Sequence, residues 1–66
     1  MRFRIYHWDT FETGKDATML IGEASDLELA EIFVQEQYHG RLSDDGADRV
    51  DIVDEQGNVV KKYSVR

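Results

Sequence analysis

Apolar and polar residues alternate through Arg2, Phe3, Arg4, Ile5, Tyr6, His7 and Trp8, and a repeat of two predicts a strand over about 2–8. Successive side chains of a strand point to opposite sides, so Phe3, Ile5 and His7 share one face while Arg2, Arg4, Tyr6 and Trp8 share the other. Residues 9–16, with Thr10, Thr13, Gly14 and Lys15, read as a polar hairpin loop. A second short strand follows over about 17–23, weakened near its end by Gly22.

The period then changes. Ser25, Asp26, Leu27 and Glu28 have the spacing of a capping box, in which the Ser25 hydroxyl accepts from the Glu28 amide and the Glu28 carboxylate reaches back to Ser25. At 100° per residue Leu27, Leu29, Ala30, Phe33, Val34 and Tyr38 fall on one arc, with Glu28, Glu31, Gln35 and Glu36 opposite and Ile32 on that polar side. Asp26 and Glu28 suit the positive end of the helix dipole, and His39 suits the negative end. Gly40 supplies a stop. The helix is therefore expected over about 26–39.

After a polar stretch containing Ser43, Asp44, Asp45 and Gly46, two more strands are expected over about 49–54 and 59–65, joined through Glu55, Gln56, Gly57 and Asn58. Paired numbers with an odd sum, from a two- or four-residue loop, put Val50, Ile52, Val59, Tyr63 and Val65 on one face with Lys61. Asp51, Val53, Val60, Lys62 and Ser64 take the other, with Asp51 opposite Lys62 as an ion pair. A three-residue loop gives an even sum and splits the apolar set, so the odd register is preferred.

The order strand, strand, helix, strand, strand defines an α+β domain, ββαββ, with one amphipathic helix packed on one face of a four-stranded, mainly antiparallel sheet. Its expected core is Phe3, Ile5, Leu27, Ala30, Phe33, Val34, Val50, Ile52 and Tyr63. At 66 residues the chain reads as one small domain, residues 1–66, burying only about 60% of its unfolded surface. Its 41% hydrophobic residues and seven aromatics (three Phe, three Tyr, one Trp) separate it from a disordered acidic tail.

Eight basic and fourteen acidic side chains give a net charge of −6, which repels phosphate backbones and anionic lipid and makes nucleic acid an unfavoured partner. Apolar runs such as Met19 to Ile21 fall far short of the roughly 20 residues of a membrane span. The absence of cysteine excludes disulfides, thiolate zinc sites and cysteine nucleophiles, and a cytoplasmic protein is expected.

Candidate chemistry is sparse. His7 and Asp9, at the end of the first strand, are the minimal kit for proton transfer, but no motif fixes a nucleophile beside them. Two histidines, His7 and His39, are too few for a transition-metal site without recruited carboxylates. Asp44, Asp45, Asp48, Asp51 and Asp54 lack the Asp-x-Asp-x-Asp-Gly order of a calcium loop and read as solvated turn residues. No catalytic residue, metal ligand, cofactor or small-molecule substrate is therefore expected.

The uncovered sheet face gives the sharpest expectation. Tyr6, Trp8, Val53 and Val60, with Leu20 as a further candidate and rimmed by Arg4, Asp51 and Lys62, resemble an interface centre with its polar rim. The expected role is non-catalytic protein binding, or self-association as a homodimer, through that face. The alternative is an acidic decoy or regulator of a nucleic-acid-binding protein, using Glu28, Glu31, Gln35 and Glu36 with Asp26 and Glu23 nearby. Direct single-strand binding by stacking on Tyr6 and Trp8 would need a positive groove.

Overall fold

The computed structural model describes residues 1–9 and 18–66. The expected loop at residues 9–16 and the first residue of the expected second strand lie almost wholly outside the described residues. The elements run β1 (Phe3–Trp8), β2 (Thr18–Ala24), α1 (Leu27–Gln37), β3 (Asp48–Val53) and β4 (Val59–Val65). They form one four-stranded sheet in the order β2-β1-β3-β4, with every neighbouring pair antiparallel. The ββαββ reading of the sequence holds. Because β2 and β3 both run against β1, they run parallel to each other with β1 between them. The helix is thus the crossover of a split βαβ unit, and it packs against β1, β2 and β3.

Alternation in β1 decides what lies under the helix. Phe3 and Ile5 are buried with Ala30, Val34, Tyr38, Val50, Ile52 and Val65, and Ile21, Ala24, Leu27, Phe33, Leu42 and Tyr63 close the edges of this core. Tyr38, Val65 and Leu42 extend the core beyond the nine residues expected. Leu29 departs from the projection: it lies on the apolar arc, yet 49% of it is exposed. A narrow sheet accepts only the central part of a helix stripe.

Both helix ends differ from expectation by a residue or two. Asp26, not Ser25, is the N-cap: its backbone is extended (φ −147°, ψ 169°) and its side chain accepts from the Leu29 amide at 2.8 Å. The Ser25–Glu28 capping box does not form. Asp and Ser cap about equally well, but the carboxylate also meets the positive end of the helix dipole. At the other end Tyr38 is the C-cap, its amide bonded to the Val34 carbonyl at 3.0 Å, so His39 lies outside the last turn. Gly40 (φ +76°) then turns the chain as expected.

The β3–β4 hairpin combines the two registers weighed from sequence. Asp51 stands opposite Lys62 and Val50 opposite Tyr63, the odd register, but Val53 pairs with Val59 after a shift next to Ile52. The turn itself is short. Asp54 and Asn58 are joined backbone to backbone at 2.9 Å, and Asp54 Oδ1 accepts from the Gln56 and Asn58 amides at 3.0 and 2.9 Å. Gly57 has φ +86°, the left-handed residue of a three-residue hairpin loop. A three-residue loop imposes the even sum, and the bulge at Val60 restores the odd sum along the rest of the ladder. Val59, expected on the helix side, therefore lies across from Val53 instead.

Beyond the helix, residues 41–43 run along the end of β4. Leu42 bridges to Val65, the Ser43 amide bonds the Ser64 carbonyl at 3.1 Å, and the Arg66 amide bonds the Arg41 carbonyl at 2.8 Å. Gly46 lets this segment close on the sheet, because a Cβ there would lie 2.4 Å from the backbone carbonyl of Val65. Backbone cannot yield as a flexible side chain would. Gly46→Ala should therefore cost about 1–3 kcal/mol, toward the upper end, against about 1 kcal/mol for Gly57→Ala at its positive φ. Urea midpoints for the two variants check the order; equal midpoints would contradict it.

Candidate functional site

The His7 side chain lies beneath the helix. Its position on the Phe3 and Ile5 face sends the ring toward the helix C-terminus, where Nδ1 lies 2.6 Å from the Tyr38 hydroxyl and Nε2 lies 3.0 Å from Asp48 Oδ2. The tautomer protonated on Nε2 satisfies the whole chain, with Tyr38 donating to Nδ1 and Nε2 donating to Asp48. Both ring nitrogens are then engaged, and the unit ties α1, β1 and β3 together. Burial raises the Tyr38 pKa above its ordinary value of 10.0, Arg41 lowers it, and Asp48 raises it again. His39 is exposed past the helix end.

The acidic stretch does not converge. Asp48 meets His7, Asp54 holds its own turn, and Asp45 accepts from the Ser43 hydroxyl and lies 3.7 Å from Arg66. Asp51 is buried in the sheet. Among the described residues no group of three or more His, Asp or Glu side chains is placed to share a cation.

The face turned away from the helix carries the other half of the strand residues. Tyr6 stands between Leu20 on β2 and Asp51 on β3, Trp8 stands opposite Thr18 and Arg49, and Arg4 stands opposite Glu23 and Val53. The structure thus brings together Arg4, Tyr6, Trp8 and Val53, the residues expected there. Val60 is the extra residue of the β4 bulge, exposed and without a cross-strand partner of its own, and Val59 takes the place opposite Val53. Trp8 is 38% and Leu20 50% exposed, whereas Tyr6 and Val53 are half-buried.

One arrangement on this face was not foreseen. Asp51, expected as a rim charge paired with Lys62, is only 2% exposed and makes its ion pair with Arg49, Nε to Oδ1 at 3.0 Å. The contact is misaligned, and Oδ1 makes no hydrogen bond. The Arg49 guanidinium in turn lies 4.9 Å from the centre of the Trp8 ring. Parity put Asp51 and Trp8 on one face, but cross-strand adjacency of Arg49 to Trp8 depended on the β1–β3 pairing, which no local pattern encodes. Toward the other end, Arg2, Arg4, Tyr6, Glu23, Val53, Asp54 and Glu55 line a cavity of about 430 Å³. There Arg2 and Arg4 share the Glu23 carboxylate at 3.4 Å each. The Tyr6 hydroxyl first, and Glu23 second, raise the Arg4 pKa and keep it charged.

Charge is segregated between the two sides. On the open face Arg2 and Arg4 stand among Glu23, Asp54 and Glu55 at one end, and Arg49 and Lys62 flank the buried Asp51 at the other. The helix and its cap carry Asp26, Glu28, Glu31 and Glu36 and no basic residue. Among the described residues, Glu31 is the one of these acids in an ion pair, with Lys61 at 3.3 Å. No protein-family model, curated protein or solved structure matches the chain.

The two buried phenols give a contrast that can be measured. Tyr38 donates to His7, so Tyr38→Phe leaves a ring nitrogen unpaired and should cost about 1–3 kcal/mol. Among the described residues the buried Tyr63 hydroxyl has no hydrogen-bond partner, and Lys61 Nζ lies over its ring at 5.5 Å; Tyr63→Phe should be neutral or slightly stabilising. Burial also raises the Tyr63 pKa. A phenol whose folded pKa exceeds its unfolded one supports the fold fully below the unfolded value, and this support drains as pH rises through the folded value. The parent should lose stability above about pH 10, and Tyr63→Phe should lose less. Chemical unfolding at neutral and alkaline pH tests both statements.

Proposed function

We propose that the chain is a non-catalytic binding module that docks an acidic protein surface on its open sheet face. Tyr6 and Trp8 are the anchors, with Arg4, Arg49 and Lys62 as the charged rim and Val53, Val59 and Val60 extending the apolar area. A cytoplasmic setting fits a chain without cysteine.

The observation that carries this reading is the unit formed by Trp8, Arg49 and Asp51. Trp and Arg dominate binding energy more often than other residue types. Here the guanidinium is already held in place, by the buried carboxylate on one side and the indole on the other. A fixed fork loses little entropy when a carboxylate arrives, which is the advantage of a preorganised site. The sign of the rim beside Trp8 selects the partner: Arg2 and Arg4 stand among Glu23, Asp54 and Glu55 at the far end, but around Trp8 the exposed Arg49 and Lys62 face only the buried Asp51, and that end attracts an acidic surface even though the whole chain carries −6.

Trp8 is the single tryptophan, so its fluorescence reports directly on the face. Titration with a synthetic amphipathic helical peptide bearing Glu and Leu should shift its emission to shorter wavelength, saturably and less so as salt rises. The same peptide with Lys in place of Glu should give no shift, and Tyr6→Ala or Arg4→Gln should weaken the acidic peptide about tenfold or more. Indifference to the sign of the peptide would sink the proposal. So would tighter saturation by single-stranded oligothymidine, which would assign the face to nucleic acid instead.

A further inference from the structure

An aspartate followed by glycine is where a backbone rearranges most readily, because no side chain shields the glycine nitrogen from the aspartate carboxyl. Of the eight aspartates, Asp45 is the one with glycine after it, and the single asparagine, Asn58, precedes the branched Val59. The Asp45 side chain is 82% exposed, so water reaches it. The strap of residues 41–46 holds the pair still. The Ser43 hydroxyl donates to Asp45 Oδ1, Arg66 lies 3.7 Å from the same oxygen, and the Gly46 amide donates to the Ser43 carbonyl at 3.0 Å. An amide bonded in this way gives up its hydrogen poorly, and a carboxylate held by two cationic or hydroxyl donors does not turn onto it.

We propose that Asp45–Gly46 is a modification site, at which the chain isomerises to a β-aspartyl linkage when the strap opens, and that the modified strap no longer closes. The Gly46 nitrogen attacks Asp45 Cγ, and the carboxyl hydroxyl leaves with the amide proton as water, closing a succinimide ring. Water then adds back. Opening the ring at Cγ restores the original bond, whereas opening it at the main-chain carbonyl leaves Gly46 joined through Cγ. In that product Cβ lies in the backbone and the α-carboxylate becomes a branch. One water is released and one consumed, so the mass is unchanged.

The structure sets the consequence. The hydrogen bond from Gly46 to Ser43 closes a turn, and an added backbone carbon inside that turn displaces the Gly46 amide. Gly46 is also seated against main chain, since a Cβ there would lie 2.4 Å from the Val65 carbonyl and 2.8 Å from its nitrogen. A β-linked chain therefore loses both the turn and the seat. With them goes the anchorage of Leu42, which bridges to the fully buried Val65 and packs at the edge of the core.

The test follows the whole chain during prolonged warm incubation at neutral pH. Peptide mapping, with enzymatic methylation of β-aspartyl carboxyls, locates and counts the linkage. It should accumulate at position 45 ahead of the other aspartates, and about tenfold or more faster in urea that unfolds the chain, because in the native protein the strap must first open. Ser43→Ala removes a donor from Asp45, so it should speed isomerisation in native buffer and leave the rate in urea unchanged. Asp45→Glu keeps the charge and should abolish the reaction there. In the separated β-linked protein, amide resonances of Ser43, Gly46, Ser64 and Val65 should shift and lose exchange protection, while those of Phe3, Ile5 and Ile52 keep theirs.

Equal rates in native and unfolded protein would overturn the proposal, as would a β-aspartyl linkage forming as fast at Asp44 or none forming at Asp45. A β-linked protein whose Ser43 and Val65 resonances match the parent's would overturn the claim that the strap no longer closes. The comparison of native with unfolded parent needs no variant, so it decides the matter even if Ser43→Ala does not fold.

Discussion

The structure depends on one constraint: a single helix covers a sheet whose side chains alternate. Every strand residue that Phe3, Ile5, Val50 and Ile52 send under α1 is matched by a neighbour sent the other way. With 66 residues and one helix, no described element remains to form a third layer. The surface that carries Tyr6, Trp8 and Arg49 is therefore a geometric consequence of packing the other side, and the question it raises is why its residues are not simply polar. Strands exposed on one face commonly alternate apolar with polar. Here the outward positions of β1 are Arg4, Tyr6 and Trp8 instead.

Each face also holds a polar group drawn out of water, His7 in part and Asp51 almost wholly, and the two are treated differently. His7 has both ring nitrogens engaged, by Tyr38 and Asp48, so its network closes and serves to join the helix end to the sheet. Asp51 has an ion pair to Arg49 but an oxygen without a hydrogen bond. Taking a carboxylate out of water is unfavourable unless its partner is well placed. An incompletely satisfied acid that nevertheless holds an arginine over a tryptophan is poorly explained by stability alone, because an apolar residue facing Tyr6 would avoid the desolvation.

Local chemistry made the elements legible and tertiary pairing made the site. The periods of two and 3.6 placed all five elements to within a few residues, since alternation and the helical stripe are properties of neighbouring residues. The cap was expected at Ser25 and lies at Asp26, because both residue types cap well and the motif spacing alone does not say which of the two takes the extended backbone of the cap. The β4 bulge was missed for a related reason: the three-residue turn around Gly57 and the apolar pattern of β4 demand opposite registers, and an inserted residue satisfies both. Gly22, read from sequence as a weak point, is a seat, since a Cβ there would lie 2.8 Å from the Phe33 ring. Arg49 was invisible as a site residue because its importance comes from β1 lying beside β3, a contact between residues 41 positions apart in sequence.

Net charge proved the least informative of the sequence quantities, because the fold sorts charges that the sum averages. Along the chain the basic residues are scattered, yet pairing β1 with β3 and β3 with β4 collects Arg4, Arg49 and Lys62 on one side. The helix segment, which contains no base, presents its acids on the other. An overall −6 implies repulsion between copies at long range, but screening confines that repulsion to about 10 Å at moderate salt. At contact the local signs decide. For a molecule so sorted, the local arrangement of charges, and not their sum, sets the field that a nearby surface meets.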